Sequence, residues 1–307
     1  MADSVARTVT LLLNYKLADL TVQCLGELMA DPCPDHRVLL IDNGSGPDQT
    51  EVLERTVADH PGVELQLLDT NLGYCAAMNR GVARAAQLGA EYVLFLNNDV
   101  RMGAGCLETL IGVLDNDPGL AGVAPTVLRP DGRVWCEGAE AGFAPNLTRL
   151  LRQGQEPAPM TAGPRLVGFL PGACVLYRIT DLHSVQNLDE RYFMYFEDVA
   201  LGTALRAAGR QLICLPWVRV THAAGSSSGG PRSPLRKYLM AANSLRFLRQ
   251  QFSLKLWAAF FLFDCLGLPL AYLTGGWRVG WAKTLGIVDG LRGRPIDASV
   301  VARWMTS

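Results

Sequence analysis

The chain has 307 residues, of which 49% are hydrophobic and 19% are charged, and its formal net charge is −1. This composition provides enough apolar surface for a large core and excludes a disordered chain, while the near-zero charge gives no general attraction for nucleic acid. Eight cysteines are dispersed without a Cys-x-x-Cys pair, so we expect core thiols in a reducing, cytoplasmic compartment. The first apolar run is too short for a signal peptide, which agrees with that expectation.

Apolar runs alternate with helical stripes of apolar residues over the first 115 residues. Strands are predicted at 8–13, 37–41, 63–68 and 91–96, and helices at 17–29, 49–59, 73–88 and 105–115. This β-α alternation predicts an α/β fold, with a mostly parallel open sheet that is flanked by helices and joined by right-handed crossovers.

The pattern is less regular after residue 115, where we predict short strands, a mobile loop, one helix and two final strands. The short strands are predicted at 120–128, 133–137, 141–145 and 165–178, and the loop at 146–165. The helix is predicted at 198–208, and the two final strands at 211–215 and 217–222. We expect one domain over residues 1–230 and a separate helical region over residues 231–307.

The C-terminal region combines a basic amphipathic helix at 235–252 with an apolar stretch at 256–273. The length of this stretch permits a membrane span, but Asp264 and Pro269 count against one. Three interpretations therefore stay open: an interfacial or re-entrant hairpin, a core helix, and a span.

Polar side chains stand where three of the predicted strands end, which is the edge of an open parallel sheet where ligands bind. Asn14 follows the first strand, Asp42 the second, and Asn97-Asn98-Asp99 the fourth. Asp42 can accept the imide N–H of uracil or thymine and Asn14 can reach the same base, although Asp in an Asp-Asn-Gly sequence also forms turns. Hard cations take carboxylate oxygens, so Asp99 is a candidate metal ligand.

The segment Asn71-Leu-Gly73 opens the third predicted helix. Gly73 allows close backbone approach, and the N-terminus of a helix attracts a phosphate or another polar ligand. Asn79 lies two turns into the same helix. A loop with a simple helix cap is the alternative interpretation.

Together these motifs resemble the family 2 inverting glycosyltransferases with the GT-A fold, in their rhamnosyltransferase-like branch. The resemblance covers about residues 8–252 and also includes the turn Pro171-Gly172-Ala173, the pair Glu197-Asp198 after an aromatic stretch, and the sequence His222-Ala-Ala-Gly-Ser-Ser227. It implies the GT-A fold, a nucleotide-sugar donor and a divalent cation, Mg²⁺ or Mn²⁺.

The resemblance also implies a role for each of these residues. Asp198 acts as the general base toward the acceptor hydroxyl and Glu197 contacts the acceptor or the donor sugar, although Asp at a helix start is also a common N-cap. Gly172 and Ala173 line the donor-sugar pocket, and His222 joins Asp99 at the metal. Residues 225–230 close over the diphosphate.

Two departures from the family pattern affect these expectations. Asn97 replaces the first acid of the usual Asp-x-Asp pair, which lowers the expected metal affinity while still allowing Asn97 to position a phosphate. Ala200 and Ala204 replace an acid and an arginine. Their joint loss either removes one buried ion pair or alters the acceptor pocket.

We therefore predict an inverting, metal-dependent glycosyltransferase that moves a sugar from a UDP- or dTDP-sugar to an acceptor hydroxyl. The acceptor is a lipid-linked glycan, a polysaccharide or a secondary metabolite, and the basic, apolar C-terminus predicts peripheral contact with the inner face of the plasma membrane. A catalytically silent nucleotide-sugar-binding subunit and a sugar-1-phosphate nucleotidyltransferase are the alternatives. The sequence lacks the G-x-G-x-x-G of dehydrogenases and the P-loop.

Overall fold

The computed structural model describes residues 6–31, 33–222 and 233–305. The strands are β1 (Thr8–Asn14), β2 (His36–Asn43), β3 (Val63–Leu68), β4 (Tyr92–Asn97), β5 (Val100–Met102), β6 (Leu120–Leu128), β7 (Val134–Cys136), β8 (Ala139–Ala141), β9 (Thr148–Leu150), β10 (Arg165–Leu166), β11 (Cys174–Arg178) and β12 (Gln211–His222). The α-helices are α1 (Ala18–Met29), α2 (Pro47–Ala58), α3 (Tyr74–Gln87), α4 (Cys106–Asn116), α5 (Ile179–Ser184), α6 (Glu197–Ala207), α7 (Pro234–Gln251), α8 (Leu254–Phe260), α9 (Leu268–Arg292) and α10 (Ala298–Met305).

The central sheet has the strand order β10-β12-β6-β11-β4-β1-β2-β3. Six of these eight strands run in one direction, and only β10 and β11 run antiparallel to their neighbours. The prediction of an α/β fold with a mostly parallel sheet is therefore confirmed. Because β4, β1 and β2 are adjacent and parallel, the polar residues at their carboxyl ends lie along one edge.

Alternate residues of the inner strands supply two hydrophobic cores, one on each face of the sheet. Leu11 and Leu39 face the core that includes α3, while Leu12 and Leu40 face the core that includes α1 and α4. Gly81 permits the close packing of α3, since a Cβ there would lie 2.7 Å from Cδ1 of Ile41. The period-two burial of these strands follows from the alternation of side chains along a β-strand.

The loop predicted at 146–165 is wrong in part, because this segment contains β9, which pairs with β8. Glu137 explains the order of this region. Its carboxylate is fully buried and lies 3.3 Å from Nε of Arg152 and 3.4 Å from Nη2 of Arg165, while the amide of Ala158 donates to its Oε1. Polar composition alone suggested mobility, but one buried carboxylate holds three points of the segment together.

Other boundaries also differ from the predictions. The strand predicted at 165–178 is divided into β10 and β11 by the turn at Pro171, and the two final strands form one strand, β12, with a register shift between Leu215 and Arg219. The strand predicted at 141–145 lies at Ala139–Ala141, and the short elements β5 and α5 were not predicted. Elements of three to six residues carry too little periodicity to be recognised in a sequence.

The C-terminal helices pack onto the sheet region, because Phe247 and Leu248 of α7 lie in the same core as α3. Helix α7 also packs along α9, where glycine permits close approach: a Cβ on Gly286 would lie 2.4 Å from the carbonyl oxygen of Tyr238. The domain boundary at residue 230 stays a prediction.

The predicted apolar stretch 256–273 is bent. It comprises α8, a π-helical turn over Phe261–Cys265 and the start of α9. Within residues 6–31, 33–222 and 233–305, no single helix has the length and apolar character to cross a membrane, although the bent pair Leu254–Cys265 and Leu268–Arg292 reaches both limits together, with an angle of 47°. Asp264, which counted against a span, is buried and pairs with Nζ of Lys283 at 3.0 Å.

Candidate active site

A chain of buried hydrogen bonds joins the ends of β1, β2 and β4. Nδ2 of Asn14 donates to Oδ1 of Asp42 at 2.8 Å, and Oδ1 of Asn14 accepts from the hydroxyl of Thr21 at 2.8 Å. The amide of Asn98 in turn donates to the Thr21 hydroxyl at 2.9 Å. The structure therefore brings Asn14, Asp42 and Asn98 together, through a threonine on α1 that sequence reasoning missed.

The carboxylate of Asp42 already accepts several bonds within the protein. Besides Asn14 it accepts from the hydroxyl and amide of Ser45 and from the hydroxyl of Thr50, the last at 3.4 Å. A carboxylate offers about four acceptor positions. Asp42 therefore shapes the loop after β2, and a uracil or thymine would have to displace the long Thr50 bond. Base recognition by Asp42 stays a prediction.

Asn43, the next residue after Asp42, was also missed. Its Nδ2 donates to Oδ1 of Asn71 at 3.1 Å, and its Oδ1 accepts from the amide of Leu72 at 2.9 Å. Oδ1 of Asn71 also accepts from the amide of Gly73 at 2.9 Å. These bonds attach the Asn71-Leu-Gly73 segment to the end of β2, and the position of Asn43 at the end of a predicted strand was the signal that could have identified it.

The N-terminus of α3 contacts a protein segment where we expected a phosphate. Gly73 has a φ of +86°, and a Cβ there would lie 2.7 Å from the ring of Phe193. The amides of Tyr74 and Cys75 both donate to the carbonyl oxygen of Phe193, at 2.7 and 3.3 Å. These contacts do not favour a phosphate at the first two amides of α3, because a backbone carbonyl already accepts from them. The role of Asn71 and Gly73 in donor binding stays a prediction.

Asn79 is not joined to this cluster. Its Nδ2 donates to the carbonyl oxygen of Leu188 at 2.9 Å and to Oε1 of Glu190 at 3.0 Å, while its Oδ1 accepts from the amide of Leu188 at 3.1 Å. Both ends of the amide are thus used to hold the loop around residue 188 against α3. The role of Asn79 in donor binding stays a prediction that these contacts do not favour.

The predicted acid pair, Glu197 and Asp198, forms the first turn of α6. Phe196 and not Asp198 occupies the N-cap position, so the alternative in which Asp198 is the N-cap is wrong. The backbone before the pair is unusual, because Phe193, Tyr195 and Phe196 all have positive φ values of 59°, 69° and 73°. Such conformations cost energy in non-glycine residues and persist only where the surroundings impose them.

One buried side chain on α7 imposes this conformation. Nδ2 of Asn243 donates to the carbonyl oxygens of Tyr192, Met194 and Tyr195 at 2.9, 3.0 and 2.9 Å. Asn243 is completely buried. Its position on the apolar face of a predicted amphipathic helix was a signal that sequence reasoning did not use.

Burial raises the pKa of Glu197, and the neighbouring charge of Asp198 raises it further. Oε2 of Glu197 is buried without a hydrogen-bond partner among the described residues. Burial also raises the pKa of Asp198, although the amide of Val199, which donates to Oδ1 at 2.8 Å, opposes this effect. Two adjacent carboxyl groups with raised pKa values are suited to proton transfer near neutral pH.

The two predicted metal ligands lie in direct contact. Nε2 of His222 is 2.9 Å from Oδ1 of Asp99, and both side chains are buried. The antiparallel pairing of β5 with β12 places His222 opposite Val100 and so beside Asp99. Trp135 packs its ring edge against the imidazole, with the ring centroids 5.0 Å apart.

The Asp99–His222 pair fits a divalent cation that keeps other ligands. Nε2 of His222 and Oδ1 of Asp99 would act as ligands of the cation in place of their bond to each other. Nδ1 of His222 is buried without a hydrogen-bond partner among the described residues, so no second contact fixes the ring's tautomer there. No group of three or more His, Cys, Asp or Glu side chains suited to a metal occurs in the described ranges. Two protein ligands suit Mg²⁺ or Mn²⁺, which commonly complete their shell with substrate phosphates and water.

The turn at Pro171-Gly172-Ala173 contacts both the end of β4 and the start of α3. The amide of Asn97 donates to the carbonyl oxygen of Ala173 at 2.9 Å, and the hydroxyl of Tyr74 lies 3.5 Å from the carbonyl oxygen of Gly172. Burial and the nearby charge of Glu197 raise the pKa of Tyr74. The placement of Asp198 along the same edge as Asp99 stays a prediction. Residues 225–230, expected to close over the diphosphate, lie outside the described residues.

Replacing Asn243 with Leu should disturb the acid pair. Three carbonyl groups, one in a buried hydrogen bond and two in part-buried ones, would lose their donor. We therefore expect the free energy of unfolding to fall by about 1–3 kcal/mol and the aromatic segment to shift. The measurement is urea unfolding, together with the rate of sugar-nucleotide turnover.

The matched control is Ser244→Ala, which removes a neighbouring buried hydroxyl that bonds only to the carbonyl oxygen of Ala241 in its own helix. Equal stability and turnover in Asn243→Leu and Ser244→Ala would contradict the role given to Asn243.

Comparison with known proteins places this geometry in a family. Residues 9–183 match the profile of Glycosyl transferase family 2. The chain is 32% identical over 217 residues to N-acetylglucosaminyl-diphospho-decaprenol L-rhamnosyltransferase of Mycobacterium tuberculosis, covering 62% of this chain and 68% of that protein. It is 31% identical to the pre-mycofactocin glycosyltransferase of the same species, over 61% of this chain and 37% of that protein.

Two solved structures share the fold at low sequence identity. GalNAc-T7 with UDP, GalNAc and Mn²⁺ has a TM-score of 0.59 at 12% identity, covering 79% of this chain and 51% of that chain. The mannosyltransferase PcManGT of Pyrobaculum calidifontis with GDP-Man and Mn²⁺ has a TM-score of 0.58 at 17% identity, covering 97% and 78%. The family match extends over more than half of the chain and includes the strand-end residues Asn14, Asp42 and Asp99. The protein therefore belongs to glycosyl transferase family 2.

Proposed function

We propose that this glycosyltransferase is inverting and metal-dependent, and that it uses a UDP- or dTDP-sugar. The observation that carries the proposal is the direct contact of Asp99 with His222, two buried candidate metal ligands, at 2.9 Å. The buried acid pair Glu197-Asp198 at the start of α6 supports a general base, and we place Asp198 along the same sheet edge. Both solved structures that share the fold contain Mn²⁺ and a nucleotide or nucleotide sugar, which supports a cation at this edge.

In the proposed reaction, the carboxylate of Asp198 removes the proton of the acceptor hydroxyl as the acceptor oxygen attacks the anomeric carbon. The new C–O bond forms on the face opposite the bond to the nucleoside diphosphate, which breaks, so the configuration inverts. Glu197, protonated near neutral pH by its burial, donates a hydrogen bond to the sugar or acceptor. Asp99 and His222 would hold a divalent cation, which supplies positive charge to stabilise the leaving diphosphate.

Replacing Asp198 with Asn should lower the rate of transfer by about 10²–10⁴-fold, the usual contribution of a general base. The amide has similar size but cannot accept the proton, so donor binding should be unchanged. The measurement is transfer or hydrolysis of a UDP- or dTDP-sugar, with donor affinity followed by calorimetry. Asp131→Asn, on an exposed turn, is the control.

The pH dependence of kcat/KM supplies a second readout for Asp198. The base acts as a carboxylate, so the rate should fall as the pH drops through its pKa, which burial places above that of an ordinary aspartate. Unchanged transfer in the Asp198→Asn variant would exclude this base. Tight donor binding by the wild type without turnover on any acceptor would instead favour the silent binding subunit.

Removing the cation should weaken nucleotide binding. With Mn²⁺ and a UDP-sugar at about 100 times its Kd, ligand binding stabilises the fold by about 2.7 kcal/mol, and we expect Asp99→Asn and His222→Ala to lose most of this stabilisation. The measurement is thermal unfolding with and without EDTA. His183→Asn, which changes an exposed histidine, is the control. If the ligand raises the unfolding temperature of the wild type equally with and without EDTA, a metal site is contradicted.

We also propose that the acceptor is part of a lipid-linked glycan and that the enzyme works at a membrane surface. Residues 231–307 contain 11 Lys and Arg against 3 Asp and Glu, so this region is strongly basic while the remainder is acidic. Ten of the fifteen exposed large hydrophobic side chains in the described residues lie between Phe252 and Trp281. An apolar face within a basic region suits an anionic bilayer.

Replacing Leu273 and Trp277 with Ser should weaken this membrane contact. These side chains are 83% and 75% exposed, so their loss should leave the fold stable. The measurement is sedimentation with vesicles of anionic or zwitterionic phospholipid, and we expect binding of the wild type only to the anionic vesicles. The control replaces Met160 and Leu166 with Ser, since these side chains are 61% and 62% exposed but lie outside the segment from Phe252 to Trp281. The proposal would be contradicted if the wild type bound no vesicles and instead formed a concentration-dependent dimer that the Leu273 and Trp277 changes abolish.

A further inference from the structure

One cleft in the described residues has a lining that contains neither the acid pair nor the metal ligands. It has a volume of about 650 Å³ and lies between the segment before the aromatic stretch, α7, and the connection from α9 to α10. Its walls include three arginines, Arg191, Arg246 and Arg249, against one acid, Glu190. None of the site residues predicted from the sequence lines it, so the proposed chemistry leaves this cleft unexplained.

Two of these arginines have no carboxylate partner among the described residues. Nη1 of Arg246 donates to Oδ1 of Asn243 at 2.6 Å and its Nη2 to the carbonyl oxygen of Arg294 at 3.0 Å. Arg249 donates to the carbonyl oxygen of Leu291. Arg246 and Arg249 lie three positions apart on α7, so their side chains share one face of the helix.

The carboxylates nearest to this face are already bonded to other donors. Asp189 accepts a bidentate pair from Arg191, with Nη2 at 2.7 Å. Asp289 accepts from the hydroxyl of Tyr238 and from Nη1 of Arg294. The positive charges of the two α7 arginines are therefore not neutralised within the cleft.

Glu190, the acid in the lining, has its Oε1 bonded to the amide of Asn79 at 3.0 Å, and among the described residues no ion pair joins it to Arg246 or Arg249. Burial lowers the pKa of Arg246, although the nearby carboxylate of Asp189 opposes this effect. Arg246 is partly buried and Arg249 is exposed, so an anion in the cleft would offset the desolvation of Arg246.

We propose that this cleft binds the diphosphate group of the acceptor, so that the acceptor carries a phosphate ester next to its sugar. Guanidinium groups bind phosphate oxygens through paired hydrogen bonds. The cleft also contains the apolar side chains of Pro295 and Ile296, which suit the hydrocarbon beside such a group. This inference rests on the proposed transfer to a lipid-linked glycan and names the part of the acceptor that is recognised.

Helix α7 connects the cleft to the acid pair. Asn243 holds the carbonyl groups that precede Glu197, and Arg246, to which Asn243 is bonded, lies one turn further along the helix and lines the cleft. The peptide of Glu190 and Arg191 forms one wall and continues directly into the aromatic segment. A diphosphate bound by α7 would therefore hold the attached sugar next to the segment that carries Asp198.

Calorimetric titration with inorganic pyrophosphate in EDTA tests the proposal, because chelation leaves the Asp99–His222 site without a cation. We expect the wild type and Asp99→Asn to bind pyrophosphate equally, and the double variant Arg246→Gln, Arg249→Gln to bind at least tenfold more weakly. Arg292→Gln, an exposed cation on α9, is the matched control and should bind as the wild type does.

The double variant should still bind UDP with Mn²⁺, which shows that it is folded, and Arg249→Gln alone should give an intermediate loss if the double variant is unstable. Absence of pyrophosphate binding in EDTA, or equal binding by the double variant, would overturn the inference. The titration requires no sugar transfer, so its outcome is separate from a failure of the proposed function.

Vesicle binding distinguishes the acceptor diphosphate from a phospholipid head group. We expect the double variant to sediment with anionic vesicles as the wild type does, and pyrophosphate to leave that binding unchanged. Loss of vesicle binding in the double variant, or its competition by pyrophosphate, would show that the cleft binds a head group and would overturn the assignment to the acceptor.

Discussion

The amide of Asn243 is the contact on which the catalytic edge depends. It holds the carbonyl groups of Tyr192, Met194 and Tyr195 in a segment where non-glycine residues adopt positive φ values, and this segment leads directly into the acid pair. The same segment caps the N-terminus of α3, because the carbonyl oxygen of Phe193 accepts from the amides of Tyr74 and Cys75. One buried side chain from the C-terminal helices thus sets the positions of Glu197 and Asp198 relative to the sheet, so the C-terminal helices are part of the active site's support.

A second network places the donor side of the site. The bonds from Asp42 through Asn14 and Thr21 to Asn98 join three strand ends, so the loops that follow these strands are held in one arrangement. Hydrogen-bonded polar groups in such a buried position are costly to disrupt because each lost partner leaves an unsatisfied group. If a donor binds at this edge, these bonds hold the side chains in place beforehand, which lowers the entropy that binding must overcome.

Residues 1–230 carry a net negative charge and residues 231–307 a net positive one, and the two nearly cancel in the overall net charge of −1. The basic C-terminal region combines an exposed apolar face with an arginine-lined cleft beside α7. A substrate with a sugar, a diphosphate and a lipid would contact the acid pair, the cleft and the apolar face in turn. If the proposed acceptor is correct, the C-terminal helices recognise it as well as support the segment before Asp198.

The sequence alone determined the alternation of strands and helices up to α4 and the polar residues at the strand ends, because period-two and period-3.6 patterns record which side chains face a core. Only the tertiary structure decided that β5 pairs with β12 and brings His222 to Asp99, that Phe193 occupies the N-terminus of α3, and that Asn243 holds the segment before Asp198. Those contacts join residues far apart in the chain through elements too short, or side chains too isolated, to produce a periodic signal. Local patterns specify which groups are buried, whereas the partner of each buried polar group depends on how the elements pack.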